Sequence, residues 1–141
     1  MNNLMHFISQ NITYVLVLIA AIIVYLIFEI QQKLKKRYLI TSTKAIHLAN
    51  REKARFIDIR DSEKFKAAHI INAENISYKT LSESRFSLTK QQLKSPLVIY
   101  SDEKNQVVKA YQILKNQHEQ IYVLEGGIQG WKSASLPISK N

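Results

Sequence analysis

Not one cysteine occurs among the 141 residues. That absence excludes disulfides, thiolate metal sites, iron–sulfur clusters and any reaction carried by a thiol of this chain. Glycine is limited to three positions and proline to two, too few for flexible or polyproline linkers. Acidic residues are also scarce: eleven Asp and Glu stand against twenty Lys and Arg, for a net charge of +9. No internal repeat is visible. With 46% apolar and 22% charged residues, the chain is neither disordered nor fibrous.

Charge is missing altogether from Ile12 to Phe28, ITYVLVLIAAIIVYLIF. At 1.5 Å per residue this stretch makes a helix of about 25 Å, the short end of what crosses a bilayer core. It is apolar all round, whereas a core helix of a soluble protein is normally amphipathic. Tyr14 and Tyr25 lie towards its ends, and Glu29 sits where a carboxylate reaches the interface. A cleaved signal peptide would need a basic start and a small-residue cleavage site. Residues 1–11 carry no Lys or Arg, and the span is followed by Lys33, Lys35, Lys36 and Arg37. Positive charge marks the cytoplasmic side. The reading is therefore a short extracytoplasmic N-terminus over 1–11, a transmembrane helix over 12–30, a basic juxtamembrane linker over 31–37 and a cytoplasmic domain over 38–141.

That domain keeps a net charge of +6 after residues 1–37 are set aside. It shows no basic stripe interleaved with aromatics, so no nucleic-acid partner is expected, while anionic lipid headgroups are a suitable partner for a basic domain beside a membrane. Its elements alternate. Thr43–Asn50 places Ala45, Ile46, Leu48 and Ala49 on one helical face, with Ser42 as cap. Phe56–Arg60 alternates like a strand, and Ser62–Ala67 reads as a short helix beginning near Asp61. Leu97–Tyr100 is an apolar run suited to a buried central strand. Gln106–Asn116 spaces Val107, Ala110, Tyr111 and Leu114 helically, and Ile121–Leu124 is a second buried strand. This alternation predicts an α/β fold with a central, mostly parallel sheet flanked by helices.

Two stretches carry a resemblance. FIDIRDSEKFKAAHIINAENIS (56–77) and IYVLEGGIQGWKSASLPI (121–138) together resemble the two signature segments of the rhodanese-like family. In the second, Leu124, Gly126, Gly127, Gly130, Trp131 and Pro137 match; the glycines suit a tight turn and close backbone approach. A phosphate-binding loop is the other use of paired glycines, but no nucleotide fingerprint accompanies them, and no cofactor is expected. In the first, Asp58, Arg60, Glu63, Phe65, His69, Ile70 and Ala73 match. Ala68 and Asn72 stand where the family has Gly; Asn tolerates a left-handed backbone, and Ala68 requires that its position avoid positive φ. Asp58 and Arg60, at a strand's C-terminal end, are candidate pocket residues. His69 reads as structural, because His6, His47 and His118 are scattered and no acidic cluster suggests a metal.

The resemblance implies that the active-site loop follows LVIY. In active relatives it reads Cys-x-x-Gly-x-Arg, its amides cradling a sulfur that attacks a donor and carries the sulfur onward as a persulfide. Here the loop is Ser101, Asp102, Glu103, Lys104, Asn105, Gln106. Ser101 stands in place of the Cys, Lys104 of the Gly and Gln106 of the Arg. A serine oxygen cannot carry the sulfur, so no catalytic residue is assigned. Lys104 is expected to strain the loop if that position needs positive φ, and Asp102 and Glu103 place negative charge where an anionic donor would dock. Serine hydrolysis at Ser101 would need a base and a nucleophile elbow that the sequence does not show. The whole resembles the tethered, cysteine-less rhodanese-like proteins of bacterial inner membranes. This implies an interaction module with a protein partner, another membrane protein being one candidate. The competing reading is an enzyme using a partner-supplied thiol or Ser101.

Overall fold

The computed structural model describes residues 1–83 and 86–140, and the chain divides after Arg37 into two compact units. The expected domain end at Asn141 lies outside the described residues.

The first unit is helical. It holds α1 (Asn2–Gln10) and all but the last residue of α2 (Ile12–Tyr38). Within α2, Ile12–Leu34 is long and apolar enough to cross a membrane, and its apolar window is not buried inside the protein. Residues 31–37, read as a basic juxtamembrane linker, are helical and belong to α2. Gln, Lys, Leu and Arg are good helix formers, and Lys33 pairs with Glu29 one turn earlier at 2.9 Å.

The second unit runs in the order β1 (Leu39–Ile40), α3 (Ser42–Glu52), β2 (Arg55–Asp58), α4 (Ser62–Ala67), β3 (His69–Ile70), β4 (Glu74–Asn75), α5 (Tyr78–Leu81), a 3-10 turn (Gln92–Lys94), β5 (Leu97–Tyr100), α6 (Lys104–Leu114), β6 (Ile121–Leu124), α7 (Gly127–Ser133) and β7 (Ile138–Ser139). Five strands form a sheet in the order β1-β6-β5-β2-β4, and every pairing in it is parallel. β3 and β7 form a separate antiparallel pair. That pair was not foreseen; two-residue strands carry no periodicity to read.

The uninterrupted apolar run of β5 follows from burial on both faces. Leu97 and Ile99 point into a core layer with Ile57, Leu81, Val107, Ala110 and Leu114. Val98 and Tyr100 point into the opposite layer with Ala45, Leu48, Phe56, Ile128 and Trp131. The strand's period of two divides its side chains between α5 and α6 on one side and α3 and α7 on the other. Trp131 meets Phe56 edge-to-face at 5.3 Å and donates its indole N–H to the Pro137 carbonyl at 3.0 Å.

Two local expectations are corrected. The cap of α3 is Thr41, whose hydroxyl accepts from the Lys44 amide, rather than Ser42, which is the first helical residue. The strand read as Phe56–Arg60 is Arg55–Asp58. Ile59 still donates to the Tyr100 carbonyl, but the chain turns there to bring Arg60 back onto Asp58. Asn72 has φ +61, as its tolerance of that region suggested, and Ala68 is extended at φ −169.

Candidate functional site

The parallel sheet ends β2, β5 and β6 side by side, so the segments that follow them converge at one edge, where ligands of open α/β sheets bind. Ser101 follows β5, Arg60 follows β2, and Gly126-Gly127 follow β6.

Ser101 is 8% exposed. Its hydroxyl oxygen accepts from the Glu103 amide at 3.2 Å, closing a turn that delivers the chain into α6. The helix opens at Lys104. Positive φ at non-glycine positions is confined, among the described residues, to Lys53, Asn72 and Ser135. The expected strain at Lys104 is therefore not found. Lys104 is the first residue of α6, where the backbone is helical and needs no glycine.

The paired glycines close over this turn. Gly126 caps α7 with φ +74, and Gly127 has φ +56. A Cβ on Gly127 would lie 2.3 Å from the Ser101 carbonyl oxygen. The sequence foretold a tight turn and a close approach; the partner, the backbone of Ser101, only the fold reveals. Gly130 is required similarly, since a Cβ there would lie 2.9 Å from the Glu125 carbonyl oxygen.

Asp58 and Arg60, 0% and 6% exposed, form a buried ion pair. The Arg60 Nε lies 2.9 and 3.1 Å from the two carboxylate oxygens, and its Nη2 lies 2.6 Å from Oδ2. Nη2 also donates to the Ala68 carbonyl at 2.7 Å, and Nη1 reaches Asp102 at 3.5 Å. The guanidinium lies 5.7 Å from the centre of the Tyr100 ring. Burial opposes its charge, but the hydrogen bonds and charge of Asp58, with Asp102 adding to them, outweigh burial and hold the Arg60 pKa above its ordinary value. The Tyr100 phenol is pushed far up, first by burial and then by Asp58. Its oxygen accepts from the Ile70 amide at 3.1 Å. Asn75 completes the cluster by donating to the carbonyls of Asp58 and Arg60.

Sequence reasoning named Asp58, Arg60, Ser101 and Asp102, and the fold brings them to one edge. It missed Tyr100 and Asn75. Tyr100 carried a legible signal, a hydroxyl closing an otherwise apolar strand, which when buried must find a partner. His69 and His118 direct their ring hydrogen bonds away from this cluster. His69 Nδ1 bonds the Phe65 carbonyl at 2.8 Å and its ring stacks on Phe65, and His118 bonds the Ser95 carbonyl. Among the described residues no cluster of His, Cys, Asp or Glu is arranged to hold a metal. Among the described residues, the edge offers a hydroxyl with no histidine hydrogen-bonded to it, and a guanidinium whose charge two carboxylates already answer.

Comparison with known proteins agrees with this architecture. Residues 41–134 match the rhodanese-like domain. The chain is 32% identical over 120 residues to YqhL of Bacillus subtilis, covering 83% of this chain and 90% of that protein. It is 23% identical to YibN of Escherichia coli over 98% of this chain and 97% of that protein. A rhodanese-related protein from Thermoplasma volcanium superposes with a TM-score of 0.62 at 20% identity, over 72% of this chain and 97% of that one.

Proposed function

The chain belongs to the rhodanese-like domain family, and from that premise we propose that it is a membrane-tethered, catalytically degenerate member whose domain acts as a binding module at the cytoplasmic face of a bacterial inner membrane. Without a cysteine, the family's persulfide chemistry has no carrier in this chain. One observation carries the reading further. The loop that would hold the reacting sulfur is closed as a serine turn, beside an arginine neutralised by Asp58 and Asp102. An anionic sulfur donor would meet Asp102 and Glu103, with the exposed Lys104 beside them, rather than an arginine free to receive it.

The tether is the apolar Ile12–Leu34 segment, with the basic end of α2 on the cytoplasmic side. The partner that fits a domain so held is a protein at or in the same membrane, with anionic headgroups as a further contact for a basic surface.

Thiocyanate formation from thiosulfate and cyanide by the full-length protein tests the degenerate loop. No turnover is expected from the wild type, and at most feeble turnover from Ser101→Cys. Asp102 and Glu103 disfavour the thiolate, each unit of pKa shift being about 1.4 kcal/mol of differential interaction. A Ser101→Cys/Lys104→Gly/Gln106→Arg variant is the comparison. Equal, robust turnover by the single and triple variants would show that only the sulfur had been lost, and would overturn the reading. A photo-crosslinker at Glu103 in intact cells tests the binding role: a discrete protein adduct is expected, and adducts to lipid alone would refute a protein partner.

A further inference from the structure

The N-terminal helix α1 is unused by anything described so far, and its side chains are sharply sorted. At 100° per residue, Leu4, Met5, Phe7 and Ile8 fall within an arc of about 160°, while Asn3, His6, Ser9 and Gln10 occupy the other side. All four apolar side chains are exposed. The helix ends at one residue. Asn11 leaves helical geometry with φ −116 and ψ 23, its amide and side-chain nitrogen both bond the Phe7 carbonyl, and its own carbonyl accepts the first bond of α2 from Val15. The break falls one residue before the apolar span begins at Ile12.

We propose that α1 is an interfacial helix, lying on the bilayer with Leu4, Met5, Phe7 and Ile8 sunk into the headgroup–acyl boundary of the leaflet opposite the basic end of α2. The inference rests on the reading of α2 as a membrane span. Three observations select a lipid surface as the occupant. First, Ile12–Leu34 alone runs about 34 Å, enough for a hydrocarbon core of about 30 Å, whereas residues 2–34 as one rod would run about 50 Å. α1 therefore cannot share the core. Second, a nine-residue helix is below the length of about 12–15 residues at which isolated helices become even marginal in water, so projection into solvent would leave it without support. Third, its apolar face is continuous along the chain with the segment that enters the lipid, and Asn11 interrupts the helical geometry between them. The helix carries no Lys, Arg, Asp or Glu, so its attachment is driven by apolar burial rather than by headgroup charge.

The cysteine-free sequence makes the test direct, because every introduced cysteine is unique. Full-length protein carrying a single spin label through Leu4→Cys, Met5→Cys, His6→Cys, Phe7→Cys, Ile8→Cys or Ser9→Cys is reconstituted in phosphatidylethanolamine–phosphatidylglycerol vesicles. Collision with oxygen and with a water-soluble nickel chelate reports depth. Oxygen should dominate at positions 4, 5, 7 and 8 and nickel at 6 and 9. Vesicles of phosphatidylcholine alone should give the same pattern. Labels through Ile19→Cys and Ile23→Cys report the span separately. Nickel access at every α1 position, with oxygen dominant at 19 and 23, would overturn the inference and leave the span intact. Oxygen at positions 6 and 9 as well would place α1 within the core and overturn it too. Spin–spin broadening at position 5 under lipid dilution would assign the face to a second copy of the chain. Nickel access at 19 and 23 would remove the span and the inference together.

Discussion

Replacing Gly127 by alanine should damage the domain more than any other single methyl group added to its glycines. Two costs combine. The residue sits at φ +56, and a Cβ in the left-handed region costs roughly 1–2 kcal/mol. The methyl would also lie 2.3 Å from the Ser101 carbonyl oxygen, more than 1 Å inside ordinary contact, and backbone held by β5 cannot swing aside as a flexible side chain would. Overpacking of that kind costs about 1–3 kcal/mol, for a total of roughly 2–5 kcal/mol. With a urea slope of about 1–3 kcal/mol per molar, the midpoint should fall by about 0.7 M or more. Gly126→Ala is the internal comparison: its φ is +74, but its Cβ would lie 3.1 Å from the Gly130 Cα, so its cost should be smaller. The assay is urea unfolding of residues 38–141, followed by Trp131 fluorescence, with far-ultraviolet dichroism confirming that each variant folds in buffer. A Gly127→Ala variant within 0.5 kcal/mol of wild type would refute the reasoning, because neither the left-handed backbone nor the contact with Ser101 could then exist in solution.

Three further outcomes follow from the same geometry. Arg60→Met should cost about 3–5 kcal/mol, because it strands a carboxylate that is 0% exposed. The Asp58→Leu/Arg60→Met double variant should cost less than the sum of the single changes, and additivity in a urea cycle would refute the ion pair's role. The Tyr100 phenol has its pKa raised in the fold, whereas in the unfolded chain it ionises near its ordinary value of about 10. Its contribution to stability is full below that value and is lost as pH rises above it, by about 1 kcal/mol between pH 10 and 11. Tyr100→Phe should remove this share of the alkaline loss, and parallel pH–stability curves for wild type and variant would contradict the burial of that hydroxyl. Full-length protein should remain with membranes after carbonate extraction, with a C-terminal reporter active in the cytoplasm; release by carbonate would refute the span, and a reporter active only outside would refute the orientation.

Much of this protein was written in local pattern. The uncharged run from Ile12 to Phe28 announces a helix long and apolar enough to cross a membrane, because helices of soluble proteins are normally amphipathic. LVIY announces a strand buried on both faces, and three glycines within five positions announce a turn where side chains do not fit. The absence of cysteine settled that persulfide chemistry has no carrier here, whatever the fold. Other features became definite only when distant segments met. Arg60 and Asp102 are 42 positions apart, and nothing local tells whether the guanidinium waits for an anion or is already neutralised; the side-by-side ends of β2 and β5 decide it. Lys104 would be an obstacle if its position needed positive φ, but α6 opens at that residue and gives it helical geometry. Gly127 was legible as a glycine with a purpose, yet its purpose, clearing the Ser101 carbonyl, depends on a register between β5 and β6 that no periodicity encodes. Spacing along a chain reports which face a side chain takes. Which groups then share that face is decided by strand order, and strand order is a property of the whole sheet.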